Sequence, residues 1–456
     1  MLGFAIGIIV TVIAAYFIIK NYQPQTVLLL AGLVLLALTA VLFPDTPILY
    51  GKTKSIGATG FDIFNFAKES LTAQVAGIGL IIMAAGGFAD YMDHIKASNS
   101  MVNLCVKPLQ LIKAPYVILA AGYILGQILH VAISSAAGLA MLLLVTFFPI
   151  LVRLGVSKAA AAAMIGMTAF MDLGPAVGTA NLAAKHAGIE TAVYFVENQL
   201  PVAVGVMLVV AVLIYFTAQH FDKVDGHVVA QTEADEATKA EENSAPGFYA
   251  LLPVIPIAIV LVFSPLVIDS IKMHVVTAMI MGALIGLLCE LLVKRDVKGA
   301  FKGFQVFFSG MGKMFTSIVS LLVCADVFAS GFQIIGAVDF IVNSVQNAGL
   351  GANVMTVVMT LLVGVTAAIT GSGVAAFSVF SQLAPNIASS FGASSISMIL
   401  PMQLMAGMGR AISPVAGVII AVSKSGECSS FQIVRRTLIP ALGGMVTMLI
   451  LNFLVN

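Results

Sequence analysis

Apolar stretches long enough to cross a membrane recur along this chain, and several are interrupted by small or polar residues. The clearest interruption is Thr370-Gly371-Ser372-Gly373, in the middle of an apolar stretch over 354–390. Glycine and hydroxyl side chains disfavour a continuous helix. Unwound backbone at membrane depth persists only where protein or a water-filled cavity satisfies its polar groups. The pattern predicts re-entrant or broken membrane helices around a polar site.

The composition places the chain among helical membrane proteins. Of its 456 residues, 60% are hydrophobic and only 9% are charged, whereas a soluble domain carries about a quarter charged residues. The long apolar runs lack the alternation of a β-barrel. We therefore predict an all-α polytopic membrane protein.

Sequence motifs for catalysis or for a resident cofactor are missing. The chain has no Walker loop, no histidine–glutamate zinc spacing and no glycine fingerprint for nucleotides. Its four cysteines are scattered without metal-ligand spacing and are interpreted as packing residues. We predict that the protein is not an enzyme and holds no metal or cofactor, apart from a coupling Na⁺ or H⁺.

Two membrane repeats and a central polar linker account for the whole sequence. The predicted repeats are 1–218 and 248–456, and the acidic segment 219–247 is predicted to be a cytoplasmic linker. Each repeat is predicted to contain a re-entrant hairpin and a broken helix. The predicted hairpins are 116–152 and 354–390, and the predicted broken helices are 159–184 and 395–422. Segment 44–70 is predicted to be an extramembrane loop.

Matching residues in the two halves support the repeat. Phe88-Ala89 recurs as Phe328-Ala329 at a shift of 240, and Pro175 recurs as Pro414 at a shift of 239. With both termini outside, fifteen Lys and Arg residues are cytoplasmic and five are external, the bias that membrane insertion favours. The two hairpins then enter from opposite faces, as in transporters built from inverted repeats.

Two serine-bearing turns are the first candidates for a binding site. Half-helix N-termini present positive dipole ends and free amides, which favour an anion. Packing of small residues between helices is the structural alternative. The candidate substrate-binding residues of the first turn are Ser134 and Ser135, and those of the second are Thr370, Gly371, Ser372 and Gly373.

The two broken helices carry candidates for binding an ion. Each contains a proline, which removes an amide donor and exposes a carbonyl one turn earlier. Ser413, beside the second proline, is a further candidate for substrate binding. Ordered water would fit the carbonyls as well as a cation would, so the coupling ion stays open. The candidate ion-coupling residues are Asp172, Gly174, Thr179, Asn181 and Pro414.

Arg410 is the only arginine inside an apolar span. A charge at this depth is costly unless it faces a cavity or a counter-charge, and a guanidinium can grip a carboxylate through two hydrogen bonds. We interpret Arg410 as a clamp for a substrate carboxylate, with a permanent pair to Asp172 as the alternative. Asp172 could instead carry a proton, and His130 is either a titrating group or a hydrogen-bonded core residue.

These motifs resemble the DcuC family of anaerobic C4-dicarboxylate carriers. The likeness rests on Ser134-Ser135-Ala136-Ala137-Gly138-Leu139, on Thr370-Gly371-Ser372-Gly373, and on Gly409-Arg410 followed by Ser413-Pro414-Val415 and Gly417. It implies a scaffold and a moving transport domain that work as an elevator, homodimers, and a bacterial inner membrane. It also implies fumarate, succinate and malate as substrates, moved by antiport or by ion-coupled symport.

The expected partners are therefore a small organic anion and membrane lipid, with no nucleic acid. A carboxylate beside the site would also suit a monocarboxylate, an amino acid or a short peptide, and this alternative is kept. A passive channel or a membrane sensor is the rival from another class.

Overall fold

The computed structural model describes residues 2–20, 22–49, 55–112, 114–227, 245–268, 270–271, 273–347 and 351–455. All regular secondary structure within these ranges is helical. Eight of the described helices are long and apolar enough to cross a membrane. The predicted all-α polytopic architecture is confirmed.

The first half begins with two long helices and ends with a third that runs toward the central segment. Its helices are Leu2–Ile19, Pro24–Leu42, Thr59–Gln74, Val75–Gly79 (a π-turn), Leu80–His94, Ala97–Val106, Lys107–Leu111 (3₁₀), Pro115–Ala132, Ala136–Thr146, Phe148–Arg153, Lys158–Gly166, Gly178–Ala187, Thr191–Val193, Tyr194–Gln199 (a π-turn) and Leu200–Val224.

The second half presents nearly the same order of elements. Its helices are Gly247–Val254 (3₁₀), Ile255–Val262, Val275–Lys294, Val297–Met314, Phe315–Val319 (a π-turn), Ser320–Ile334, Ala337–Asn347, Ala352–Thr370, Gly373–Phe380, Ala384–Ser390, Ser395–Ala411, Gly417–Ser425 and Ser430–Val455.

The π-turns at Val75–Gly79 and Phe315–Val319 lie 240 positions apart. That spacing is the shift predicted for the repeat, so a local irregularity of the helix is repeated together with the elements around it. In each of the segments 116–152 and 354–390 a short turn separates successive helices, and in each of the segments 159–184 and 395–422 non-helical residues separate two helices.

Three predicted boundaries are wrong. The predicted loop 44–70 is helical from Thr59 onward, because Asp62 in the first turn accepts hydrogen bonds from Ser55 Oγ (2.7 Å) and the Ile56 amide (2.8 Å), which fix the approach to the helix. The predicted linker at 219–247 is helical as far as Val224, and 228–244 lie outside the described residues. The hydropathy of 248–270 predicts a membrane span, but the chain leaves the helical conformation after Val262.

The helices pack into two bodies, and each body takes elements from both repeats. The frame body contains the described parts of 2–111 and 245–347, and the hairpin body contains 115–227 and 351–455. Within the frame, Pro24–Leu42 packs along Ser320–Ile334, and Leu80–His94 packs along Val297–Met314. Within the hairpin body, Leu200–Val224 packs along Ser430–Val455.

Several helix faces are apolar and exposed in ways that suit a lipid environment. On Leu200–Val224, the side chains of Val204, Leu208, Val212 and Phe216 recur every four residues and are all exposed. Residues four apart share one helix face, so the helix presents an apolar stripe outward. The opposite face packs inside the hairpin body.

A buried ion cluster joins the two longest helices of the hairpin body. Arg436 donates from Nη1 to Asp222 Oδ1 (2.8 Å) and from Nη2 to Asp225 Oδ2 (2.6 Å). Ser157 Oγ donates to Asp222 Oδ1 at 2.5 Å. The neighbouring Arg435 is half exposed and lies 3.4 Å from Asp225. The cluster therefore fixes the helix Leu200–Val224 to the start of Ser430–Val455.

Replacing Arg436 with methionine should destabilise the protein strongly, because Asp222 would remain buried without its counter-charge. The expected loss is about 3–5 kcal/mol, read as a large fall in the thermal midpoint of the detergent-solubilised protein. Arg435→Met is the matched control and should cost about 1 kcal/mol or less. Equal losses in the two variants would contradict this account of the cluster.

Candidate functional site

The second hairpin turns at Gly371 and Ser372. Gly371 has a left-handed backbone (φ +72°) and ends the helix Ala352–Thr370. Ser372 caps the next helix by accepting from the Ala375 amide at 3.2 Å. Thr370 Oγ1 donates to Thr366 O at 2.7 Å and accepts from the Ser372 amide at 3.3 Å. The capping serine accepts one hydrogen bond and keeps its own O–H free to donate.

This turn rests directly on the second helix break. A β-carbon on Gly371 would lie 2.9 Å from the backbone of Ala416, and one on Gly373 would lie 2.3 Å from Ala406 O. Both glycines therefore sit where backbones approach too closely for a side chain. The second hairpin and the second broken helix form one packed unit.

A cavity of about 770 Å³ opens beside the second turn. It lies between the two bodies, with walls from both. Its volume is within the range of small-molecule sites, and its polar lining consists of hydroxyl and amide groups without a charged side chain. The polar residues of the lining are Tyr22, Gln23, Gln25, Thr316, Ser317, Thr366, Thr370 and Ser372.

The first hairpin turns at Ser134 and Ser135. Ser135 caps the helix Ala136–Thr146 by accepting from the Gly138 amide at 3.1 Å. A β-carbon on Gly138 would lie 3.4 Å from Asp93 Oδ2, so this turn faces a carboxylate of the frame body. Ser134 is half-buried. Among the described residues, no hydrogen bond connects the two turns.

Asp172 and Arg410 form an ion pair between the two repeats. Arg410 Nη2 donates to Asp172 Oδ1 at 2.8 Å and to Ala169 O at 2.6 Å. His130 Nε2 lies 3.3 Å from the same carboxylate oxygen. The side chains of His130 and Asp172 are almost completely buried, whereas that of Arg410 is 15% exposed. The pairing that the sequence analysis kept as an alternative is therefore present in the structure.

The hydrogen bonds of Arg410 within the described residues leave from Nη2, whereas Nη1 and Nε make none there. Nη1 and Nε lie on opposite sides of the guanidinium, so each can donate to an anion singly. Pairing with Asp172 therefore leaves N–H donors of Arg410 available for an anion.

Three buried side chains that the sequence analysis missed hold the first helix break. Gln403 Nε2 donates to Asp172 O at 3.1 Å, and Gln199 Oε1 accepts from the Gly174 amide at 3.0 Å. Gln403 Oε1 accepts from Gln199 Nε2 (2.8 Å) and from the Tyr194 hydroxyl (3.0 Å). All three side chains are fully buried. Asp172 keeps a left-handed backbone (φ +49°), which is unusual outside glycine.

The π-turn at Tyr194–Gln199 explains why two of these side chains act together. Hydrogen bonds from residue i to i+5 stack residues five apart, and Tyr194 and Gln199 are five apart. An α-helix would direct them to different faces. The available sequence signal was an amide inside an apolar span near each break, but the π-turn itself has no sequence signature that reveals it.

The candidate ion-coupling residues of the first break are mostly engaged with one another. The Asn181 amide donates to Pro175 O (2.7 Å) and Val177 O (2.9 Å), and its oxygen accepts from Thr191 Oγ1 at 3.1 Å. Thr179 Oγ1 lies 3.4 Å from Gln403 Nε2. The Pro175 and Val177 carbonyls of this break thus already accept hydrogen bonds.

Two buried oxygens of the candidate set have no partner among the described residues. They are Asp172 Oδ2 and Ser413 Oγ, one in each break. Pro414, next to Ser413, is half-buried, and Val415 lines the cavity. The structure therefore brings together His130, Asp172 and Arg410 in one cluster, and it joins the second turn to the second break in another. The first turn contacts neither cluster through a hydrogen bond.

A family model described as the C4-dicarboxylate anaerobic carrier, DcuC, matches residues 2–455. A Vibrio cholerae protein named probable anaerobic C4-dicarboxylate transporter DcuC is 37% identical over 451 residues, covering 99% of this chain and 97% of the relative. The anaerobic C4-dicarboxylate transporter DcuC of Escherichia coli K12 is 33% identical over 449 residues, covering 98% and 95%.

Two solved transporter structures share the fold. MtrF of Neisseria gonorrhoeae, described as one of a class of antimetabolite efflux pumps, has a TM-score of 0.62 at 17% identity and covers 94% of each chain. The YdaH transporter of Alcanivorax borkumensis, described as having an unusual topology, has a TM-score of 0.55 at 15% identity. The match covers 95% of this chain and 98% of the YdaH chain. At these identities the likeness concerns the fold alone.

Gly371→Ala should lower the thermal midpoint much more than Gly392→Ala. Both glycines are left-handed (φ +72° and +64°), so both substitutions carry a backbone cost of about 1–2 kcal/mol. Only the alanine at 371 would also meet backbone atoms, since nothing lies within 4 Å of a β-carbon at 392. The clash adds about 1–3 kcal/mol. Thermal unfolding of the two variants in detergent measures the difference, and equal midpoints would contradict a tight contact between turn and break.

Proposed function

This chain belongs to the C4-dicarboxylate anaerobic carrier family, and on that basis we propose that it is a secondary transporter of C4-dicarboxylates. Fumarate, succinate and malate are the expected substrates. The observation that carries the proposal at the level of the site is that Arg410 is partly exposed and has N–H donors at Nη1 and Nε that make no hydrogen bond within the described residues. A buried cation with unused donors is a binding group for an anion.

A dicarboxylate needs two anion-binding groups, and the chain offers one arginine here. In this proposal, the first carboxylate accepts from an unused N–H of Arg410. Hydroxyl groups and helix N-terminal amides at the serine-bearing turns hold the second. Ser135 and Ser372 suit this role because each accepts a capping hydrogen bond while its O–H remains available. The hydrogen-bonding capacity thus matches a small organic dianion.

Arg410→Ala should abolish succinate transport, because the carboxylate would lose its only cationic partner. Arg410→Lys should retain the charge but lose the fixed guanidinium donors that pair with Asp172 and substrate, raising KM roughly tenfold, the effect of about 1.4 kcal/mol. Uptake of labelled succinate by proteoliposomes measures both variants.

The controls separate lost binding from lost folding. Arg410→Ala leaves Asp172 buried without its partner, so the double variant Arg410→Ala/Asp172→Asn removes both charges and should also be inactive. Arg435→Ala removes an arginine that is half exposed and lies away from the site, and it should transport normally. Wild-type uptake by the double variant would refute the clamp.

We further infer that the hairpin body moves against the frame body. With the predicted topology, the connection Lys20–Gln25 is cytoplasmic, so the cavity beside Tyr22 and Gln23 opens toward the cytoplasm. Side chains from both bodies line this cavity. A site at the boundary between two packed bodies can change its exposure by sliding of one body, as in elevator-type transport.

An asymmetry between equivalent residues supports this movement. Lys185 and Lys424 are 239 positions apart, and each lies in the last turn of the second helix of its break. Lys185 Nζ lies 3.4 Å from Gln74 Oε1, next to the π-turn in the middle of Thr59–His94. Among the described residues, Lys424 makes no hydrogen bond or ion pair. The external end of the hairpin body is thus docked halfway along the frame, as expected for a body displaced toward the cytoplasm.

Among the described residues, few polar contacts join the hairpin body to the frame body, and the movement can be tested at one of them. Ser70 Oγ donates to Asp326 Oδ2 at 2.6 Å within the frame, and the Gln382 amide of the hairpin body pairs with the same aspartate. Nearby, Asn386 Nδ2 donates to Gln333 Oε1 at 3.0 Å, again from the hairpin body to the frame.

Linking Gln333→Cys to Asn386→Cys should stop transport by holding the hairpin body in place. The background variant has its four native cysteines replaced, and a short bifunctional thiol reagent joins the two new ones. We expect succinate counterflow to fall to background when the link forms and to recover after reduction.

Each single-cysteine variant treated with the same reagent is the control and should retain counterflow. Full transport by the cross-linked protein would exclude relative motion of the two bodies at this contact. The bacterial inner membrane, external termini and a homodimer remain part of the proposal, and cysteine accessibility and cross-linking in intact cells test them.

A further inference from the structure

Both ring nitrogens of His130 face oxygen atoms. Nδ1 lies 3.0 Å from Ile133 O, and Nε2 lies 3.3 Å from Asp172 Oδ1. A carbonyl can only accept a hydrogen bond, so Nδ1 carries a hydrogen. A neutral imidazole has a single N–H, which leaves Nε2 without one. Two acceptors would then face each other at Nε2 and Oδ1, unless one further proton is present.

We propose that this additional proton, held between His130 and Asp172, is the ion that is coupled to substrate transport. The inference rests on the proposed function as a dicarboxylate carrier and assigns its coupling site. The proton resides either on His130 Nε2, which then donates to Asp172, or on the Asp172 carboxyl group. In both forms the contact becomes a hydrogen bond, and without the proton it is repulsive.

The surroundings of Asp172 suit a proton better than a metal ion. Asp172 Oδ2 is buried and has no partner among the described residues. A hard metal cation requires several oxygen ligands. The nearby Pro175 and Val177 carbonyls already accept from Asn181, and Thr179 Oγ1 contacts Gln403. A proton needs only the one free oxygen or the imidazole nitrogen.

The groups around the pair set its charge. Helix Pro115–Ala132 contributes His130, and helix Ser395–Ala411 contributes Arg410 with the uncharged Gln403. The π-turn contributes Gln199, which is also uncharged. The charged members are therefore Asp172, Arg410 and, when protonated, His130. With the proton the cluster carries one net positive charge, and without it the cluster is neutral.

This change in charge couples the proton to the anion. A cluster with one positive charge attracts a carboxylate more strongly than a neutral cluster does, so protonation increases the affinity for substrate. By linkage, bound substrate increases the affinity for the proton by the same factor. Substrate affinity should therefore fall when the pair loses this proton.

The experiment compares two modes of transport in proteoliposomes with labelled succinate. Counterflow against internal succinate requires no net movement of the coupling ion, whereas accumulation driven by an inward proton gradient does. Wild type should show both, and a gradient of one pH unit should raise accumulation by up to tenfold for each proton coupled. His130→Gln lacks the imidazole that holds the proton and should lose the response to the gradient, while counterflow persists at saturating succinate with a raised KM.

His220→Gln, an exposed histidine at the end of Leu200–Val224, is the matched control and should respond as wild type does. The proposal would be overturned if His130→Gln responded to the proton gradient as the wild-type protein does. It would also be overturned if the wild-type protein accumulated succinate in response to a sodium gradient instead of a proton gradient. Should His130→Gln fail to fold, His130→Asn carries the test, and gradient-driven accumulation in that variant would overturn the proposal equally. Absence of counterflow in wild type would instead refute the proposed function.

Discussion

Backbone that leaves the helical conformation inside a membrane must find hydrogen-bond partners within the protein, and the two breaks of this chain solve that requirement differently. In the first break, side-chain amides serve as partners: Asn181 donates to two carbonyls, and Gln199 and Gln403 hold the backbone of Gly174 and Asp172. In the second break, the turn at Gly371 packs on the backbone of Ala416. One break is thus rigid through buried polar bonds, whereas the other depends on contact with a hairpin. The second break and its hairpin also line the cavity, which places the less constrained unit where a substrate would enter.

The ion pair between Asp172 and Arg410 follows from the repeat. The two residues are 238 positions apart, and the prolines of the two breaks are 239 positions apart. The acid and the base therefore occupy positions of the two repeats that are equivalent to within one residue. Equivalent segments of inverted repeats meet near the axis that relates them, and a like-charged pair there would repel. Opposite charges compensate one another and fix the distance between the breaks. Removing only one partner leaves a buried charge, which costs several kcal/mol, so the pair also couples the stability of the two halves.

Most of the fold was predictable because it depends on patterns with a physical period. Hydropathy indicated the membrane helices, and interruptions by glycine, serine and proline indicated both hairpins and both breaks. The boundaries that failed depend on local contacts, such as the hydrogen bonds of Asp62 that start a helix inside a predicted loop. The site was predicted in part: Asp172, Arg410 and His130 stand out as polar residues in apolar spans. Gln199 and Gln403 were missed because an uncharged amide is inconspicuous in sequence, and because the π-turn that aligns Tyr194 with Gln199 becomes visible only in three dimensions.

The charge of the site also bears on which transport modes are possible. A carrier that returns empty must move its unoccupied site past an apolar boundary, where a net charge is costly. The pair of Asp172 and Arg410 is neutral by itself, so the unprotonated empty site can make this movement. A proton on the His130–Asp172 contact adds one positive charge, which opposes the empty return and reduces the net charge of the site loaded with a dianion from two negative charges to one. In this scheme the same three side chains determine both the affinity for substrate and the movement of the empty site. The protonated site binds substrate, and the neutral empty site returns across the membrane. Exchange of one dicarboxylate for another needs neither step, because the site is occupied in both directions.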